Sequence, residues 1–461
     1  MATGITNALV DYAQNLKYED IPPEVLERTK HMLLDFLGVA YGGLRTGESS
    51  GPVIDGVLDL ASGAAGESAV LGRPERLPAH YAALLNATFA HSMDFDDTHR
   101  DAVIHIGTPL FATLLALADE HASTGRAVSG RDFLTAAVIG YDVTGKVGKA
   151  HGGSIHARGF HPTATTGIFG CSAAGARLLG YSAQQTANAM GLNVSQSAGS
   201  TQFLENGSWN KRFHTGLAAH NAVMSLVMAR HDYLGATSPI EGSRGYFALY
   251  AGDGADAARA LDGLGSDFEV MNTAVKPYPC CRYSHATIDA VADIVRAESL
   301  ASPDIDAIEI AIGETGYGLV ADPAEMKRVP SNVVEGQFSV YFAAAATAGK
   351  GAYAWDAYDR LDDAEVRRLM QRTSVSLDDR FGSGMESIVS LRTTDGRVIE
   401  RTVPYPKGEP ENPMSWEEMQ AKFTEWSGPV IGAERAAQVI ESVASLETLA
   451  SMTDLTANLG A

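Results

Sequence analysis

What this chain of 461 residues lacks narrows its function first. No uninterrupted apolar run reaches the ~18–20 residues of a membrane span. The stretch from Met1 to Tyr18 holds no basic segment leading into an apolar one, so no secretory signal is expected. Basic residues are scarce: 35 Lys and Arg stand against 56 Asp and Glu, for a formal net charge of -21. That balance argues against nucleic acid and against anionic membrane surfaces, both of which attract positive patches. Cysteine is nearly absent. Cys171, Cys280 and Cys281 follow neither zinc-site nor disulfide spacing, so reduced, buried thiols in a cytoplasmic protein are expected. No Gly-rich phosphate loop is present, because nothing after Gly152-Gly153 completes one. Internal repeats and low-complexity linkers are missing too.

What is there is ordinary globular material, 45% hydrophobic and 20% charged. The length exceeds the roughly 250–300 residues of a single core, so two domains are expected. The first part reads as successive helices. Pro22-Pro23 opens one, and Val25, Leu26, Met32, Leu33, Phe36 and Leu37 recur near a 3.6-residue period. Further helices are expected at 79–93, 108–122 and 131–147, the last capped by Ser129. The Ala-, Gly- and Ser-rich stretch from His161 to Ala229 suits close helix packing, and strand-like alternation is absent. Near Phe268 the pattern changes. Ile308 to Ile312 and Ser387 to Arg392 alternate like strands. Thr394-Asp395-Gly396-Arg397 signals a hairpin into Val398 to Val403. Helical patterns at 284–297, 338–348 and 363–372 intervene. Ser415-Trp416-Glu417-Glu418 then reads as a capping box, and a last helix is expected at 433–446. The fold class is therefore mainly α. A helical domain of 1–268 returns at 409–461 around an inserted α+β domain of 269–408.

The densest polar segment runs from His91 to His105. It places Asp94, Asp96, Asp97 and Asp101 with His91, His99 and His105 within fifteen residues. Three basic clusters stand out in so acidic a chain: Arg158 with His161, Lys211-Arg212 with His214, and Lys276 to His285, which includes Arg282. An anionic substrate needs such islands of positive charge. Removing a proton beside a carboxylate leaves an unstable carbanion, which fixed cations and a base tuned near neutral pH can support. Histidine needs little tuning, and a neighbouring aspartate can fix its tautomer. A different use of the same segment is a metal cage of Asp96, Asp97 and Asp101 in a helical diphosphate enzyme, but no second acidic motif faces it.

These motifs, taken in order, resemble the MmgE/PrpD family. Met93-Asp94-Phe95-Asp96-Asp97-Thr98 with His105, then Gly191 to Gly199, Lys211 with His214 and Gly216, and Gly235 to Gly245 follow the family's sequence of blocks. Lys276-Pro277-Tyr278-Pro279, Gln337-Phe338-Ser339 and Lys407-Gly408-Glu409-Pro410 continue it. Members include 2-methylcitrate dehydratase, cis-aconitate decarboxylase and iminodisuccinate epimerase. The resemblance implies a large helical domain with a smaller α+β lid, a homodimer, and neither cofactor nor metal. It gathers Asp94, Thr98, His105, His161, Lys211 and Lys276 around a small polycarboxylate. Two departures stand out. His105-Ile106-Gly107 replaces the frequent His-Pro-Gly, and Phe342 falls where the decarboxylase carries a tyrosine, with Tyr341 one place early. The stretch after Thr98 is also shorter than in the dehydratase.

The expected activity is a cofactor-free hydro-lyase or epimerase that moves a proton beside a carboxylate. A cis-aconitate-type decarboxylase is the alternative, and a non-catalytic binding relative is the reading from another class. His105, Asp94, His161 and Lys211 are the candidate catalytic groups. Thr98, Lys276, Arg158, Arg212, His285 and Tyr341 are the candidate substrate contacts, in a crevice under the lid.

Overall fold

The computed structural model describes residues 4–460. It is mainly helical, with a few short strands, and its contacts divide it into two units. Met1–Val275 with Ser415–Ala461 form one, and Lys276–Met414 the other. The pattern change at Phe268 precedes the first division because Glu269, fully buried, is bonded into the helical unit by Lys149 and His99. The second division falls after 408 because Glu409 forms a buried bidentate pair with Arg282 of its own unit.

The helical unit is built on long helices whose starts the sequence encodes. Helix Pro23–Thr46 opens on a proline, which gives up no hydrogen bond at a first helical position. Ser129 Oγ accepts the Asp132 amide hydrogen and caps helix Gly130–His151. Ser415 and Glu418 form a reciprocal capping box at helix Trp416–Ile431. Phe36, Phe89, Phe111, Phe133 and Phe169 are all buried, and the Phe111 ring lies 5.8 Å from Phe36 and 6.3 Å from Phe133. Glycines allow unusually close crossings around helix Ala79–His91. A Cβ on Gly43 of helix Pro23–Thr46 would lie 1.8 Å from the Phe89 carbonyl oxygen. On another side, a Cβ on Gly216 of helix Asn210–Arg230 would lie 2.3 Å from Thr88 Oγ1. Strand pairing is not wholly absent here. Thr98–His99 pairs antiparallel with Thr273–Ala274.

The second unit carries a four-stranded sheet in the order Thr373–Leu377, Ile305–Ile312, Ser387–Thr393, Val398–Val403. The first pair is parallel and the others antiparallel. The hairpin turn forms where the sequence signals it: Gly396 takes φ +90°, and the Thr393 amide reaches Arg397 O at 2.9 Å. Helices His285–Glu298 and Val340–Lys350 supply the rest of a core that includes Ile308, Ile310, Val389 and Leu391. Strand Thr373–Leu377 has no counterpart in the sequence reading. The three cysteines are free and buried. Among the described residues no helix is long and apolar enough to cross a membrane.

Candidate active site

The polar segment that follows helix Ala79–His91 is folded inward, against the usual preference of charged loops for solvent. Asp94 takes a left-handed φ of 52°, which turns the chain so that Asp96 and Asp97 are both buried. The neighbours serve different partners. Asp97 accepts the Gly107 amide, at the start of helix Gly107–Ser123, through both oxygens at 3.1 and 3.0 Å. It also accepts the Tyr141 hydroxyl at 2.7 Å. Asp96 Oδ2 accepts from His91 Nδ1 at 2.8 Å and Thr108 Oγ1 at 2.6 Å, and lies 3.2 Å from His105 Nδ1.

The electrostatics separate the two carboxyls. Burial and the Asp96 charge push Asp97 up to about 8, so it holds a proton at neutral pH. Burial also acts to raise Asp96, but the His105 and His91 rings beside it more than offset this, and it stays ionised well below the usual carboxylate range. Two carboxyls pushed apart in this way are suited to different roles.

Around Asp96 stand four imidazoles. The His91 ring meets His105 edge-on at 4.6 Å and stacks on His161 at 5.7 Å. His161 Nδ1 lies 3.3 Å from His214 Nδ1. Burial lowers His91 to about 3, with Asp96 opposing and Lys211 adding to the effect. Burial lowers His214 to about 4. His161 is pushed far down by burial, then by His91, Lys211, His214 and His105. His91, His161 and His214 are therefore neutral near pH 7. Lys211, in the first turn of helix Asn210–Arg230, is ion-paired with Asp94. Thr98 Oγ1 lies 3.5 Å from His105 Nδ1, and the His105 amide donates to Thr163 Oγ1 at 3.2 Å.

The structure thus brings Asp94, Thr98, His105, His161 and Lys211 together in the helical unit. Two other candidates in that unit lie differently. Arg158 is exposed and lies against Gly252, while Arg212 turns to Ser49 Oγ at 3.4 Å. Lys276, His285 and Tyr341 belong to the second unit, where all three are buried. His285 lies edge-on to Tyr278 at 5.2 Å, and Tyr341 packs under the Arg328 guanidinium. His91 and Asp96, central to the cluster, are missing from the sequence-derived site. Their five-residue spacing at a helix end was the available signal.

The aspartate cage imagined for a diphosphate enzyme does not form, because Asp97 is taken by Gly107 and Tyr141 and Asp101 is exposed. The closest potential metal-binding group among the described residues is His91, Asp96 and His105, with donor atoms within 4.8 Å of one another. Its short N···O distances are those of hydrogen bonds onto a shared oxygen.

Comparison with known proteins extends over nearly the whole chain. Residues 7–257 match the MmgE/PrpD N-terminal domain and residues 278–448 the MmgE/PrpD C-terminal domain. The cis-aconitate decarboxylase-like protein oryM of Aspergillus oryzae is 28% identical over 476 residues, covering 98% of this chain and 96% of that protein. A cis-aconitate decarboxylase of Aspergillus terreus is 26% identical, covering 98% and 95%. The cis-aconitate decarboxylase of Homo sapiens is 25% identical, covering 99% and 94%.

Proposed function

Because this chain belongs to the MmgE/PrpD family, and its relatives are named cis-aconitate decarboxylase or cis-aconitate decarboxylase-like, we propose that it moves a proton at a carbon beside a carboxylate of a small di- or tricarboxylic acid, without a cofactor. The observation that carries this reading is His105, set against ionised Asp96 among neutral imidazoles and beside the Asp94–Lys211 ion pair. A proton taken from carbon leaves charge on the adjoining carboxylate, and preorganised donors in a buried site stabilise that charge. His105 exchanges the proton. Lys211 and His161 receive the substrate carboxylate, and Asp94 holds the Lys211 ammonium in place. Thr98, beside His105, is an outer contact.

The same acid–base group serves three outcomes. In dehydration His105 takes the proton and hydroxide departs from the neighbouring carbon. In epimerisation the proton returns to the opposite face. In decarboxylation the C–C bond breaks, carbon dioxide leaves, and His105 in its protonated form supplies the proton that the carbanion takes up. The names of the relatives favour the third as a second reading. The departure at Phe342 favours the first two.

Incubation with a panel of polycarboxylates in deuterated water, followed by NMR, tests all three at once. Deuterium at a carbon beside a carboxylate, retained in the presence of a chelator and strongly reduced in His105→Ala, is the expected result. Binding without exchange on every member would leave a non-catalytic relative.

A cytoplasmic homodimer completes the proposal. Its support is the free, buried thiols and an apolar groove of about 460 Å³ on the helical unit, edged by exposed Leu60, Trp209 and Phe213. Light scattering that gives the mass of a monomer would remove the dimer.

A further inference from the structure

One carboxylate oxygen serves both rings of the His91–His105 pair. Asp96 Oδ2 faces His91 Nδ1 at 2.8 Å and His105 Nδ1 at 3.2 Å, and it accepts the Thr108 hydroxyl at 2.6 Å. An ionised carboxylate can only accept, so each ring presents Nδ1–H to it. A neutral imidazole has a single N–H, and its lone pair must then lie on Nε2.

We propose that Asp96 is the positioning residue of this site, fixing the Nδ1–H tautomer of His105 and so making His105 Nε2 the atom that trades the proton with substrate. The inference rests on the proposed function for its chemical meaning, but its geometry stands without it. Asp96 acts through His105 and touches no reacting atom itself.

Three features support the assignment. Asp96 Oδ2 is also held by Thr108, in the first turn of helix Gly107–Ser123, so the histidines are not alone in orienting it. The positive end of that helix favours the anion. Its other oxygen, Oδ1, is buried with no hydrogen-bond partner among the described residues, and so is His91 Nε2. The carboxylate is therefore not saturated by bonds that would lower its hold on the two rings. When His105 takes up a proton, the imidazolium forms beside a fixed anion. His91 shares the anion, but burial lowers it to about 3.

The test reads tautomers directly. Protein labelled with 15N-histidine gives long-range proton–nitrogen correlations that distinguish Nδ1–H from Nε2–H, and His91→Gln and His105→Gln assign the two rings by deletion. Wild-type protein is expected to show Nδ1–H on both. Asp96→Asn is expected to give His105 a mixed or reversed tautomer and to lower kcat by roughly 10²–10⁴-fold with KM nearly unchanged. Nε2–H on His105 in the wild type overturns the proposal. So does an Asp96→Asn protein that keeps both tautomer and kcat. Should Asp96→Asn fail to fold, the wild-type spectrum alone decides. The spectrum needs no substrate: a protein with the expected tautomers that exchanges no polycarboxylate proton refutes the function and leaves the positioning intact.

Discussion

The helical unit holds two buried carboxylate–histidine arrangements, and their construction differs. Glu269 accepts His99 Nε2 at 2.8 Å and Asn272 at 3.2 Å on one oxygen, and Lys149 at 3.0 Å on the other, with the Lys146 ammonium 2.7 Å away. His99 Nδ1 in turn accepts the Ala102 amide at 3.2 Å. Both oxygens and both ring nitrogens are occupied, and two cations offset the charge. Asp96 is served by neutral donors on one oxygen, while Oδ1 and His91 Nε2 find no partner among the described residues. A saturated arrangement cannot change protonation without breaking bonds, so it suits holding the chain together. An unsaturated one retains capacity for a proton or a ligand.

Four experiments break or sharpen that contrast. The largest effect belongs to His105→Ala, which should lower proton exchange by roughly 10²–10⁴-fold while the thermal midpoint stays close to wild type. Near-normal exchange in this variant removes His105 from the chemistry.

Glu269→Gln should act in the opposite way. It strands two lysines and a histidine in the interior, and breaking a buried pair costs roughly 3–5 kcal/mol. A denaturation midpoint shifted accordingly, with exchange by the folded fraction within a few-fold of wild type, keeps the two arrangements distinct. An exchange loss as large as that of His105→Ala would merge them.

Lys211→Met comes next. A charge-assisted contact to a carboxylate is worth roughly 1.5–3 kcal/mol, or about ten- to a hundredfold in KM or kcat. The double variant with Asp94→Asn separates the roles: recovery of the melting temperature without recovery of kinetics assigns Lys211 to substrate.

The effect in pH is the smallest per step. Asp97 titrates near 3.8 unfolded and about 8 folded, so between those values the folded state carries a proton that the unfolded state has lost. Its contribution is fully present below the unfolded value and is lost as pH rises through the folded one, by at most ~1.4 kcal/mol per pH unit. Stability curves of wild type and Asp97→Asn, measured from pH 4 to 9, should converge or cross in that direction. Parallel curves would mean that Asp97 is ionised at neutral pH.

Much of the fold is legible in the sequence because it is local. Helix starts at Pro23, Ser129 and Ser415 and the hairpin at Gly396 depend on residues within one turn. Strand Thr373–Leu377 escaped because Ser374 and Ser376 alternate with few apolar partners, and it is an edge strand whose neighbour, Ile305–Ile312, lies some seventy positions earlier. The unit boundaries escaped for the same reason. Glu269 is held by Lys149, 120 positions away, and Glu409 by Arg282, 127 positions away. In the site, sequence order indicated the polar segment but not which aspartate serves which histidine. Asp96 and Asp97 are adjacent and point to different partners, and only the left-handed turn at Asp94 decides that.

Helix Ala79–His91 is gripped by two residues that have no side chain, Gly43 on one neighbour and Gly216 on another. An alanine at position 43 would set its methyl on the Phe89 carbonyl, two residues before the helix delivers His91. The helix end would have to give way by roughly an ångström, a displacement that can lower a rate ~10²-fold. A loss of function can thus come from a residue with neither a charge nor a side chain. In a mutational survey such positions would rank beside the histidines, and nothing in their chemistry would explain why.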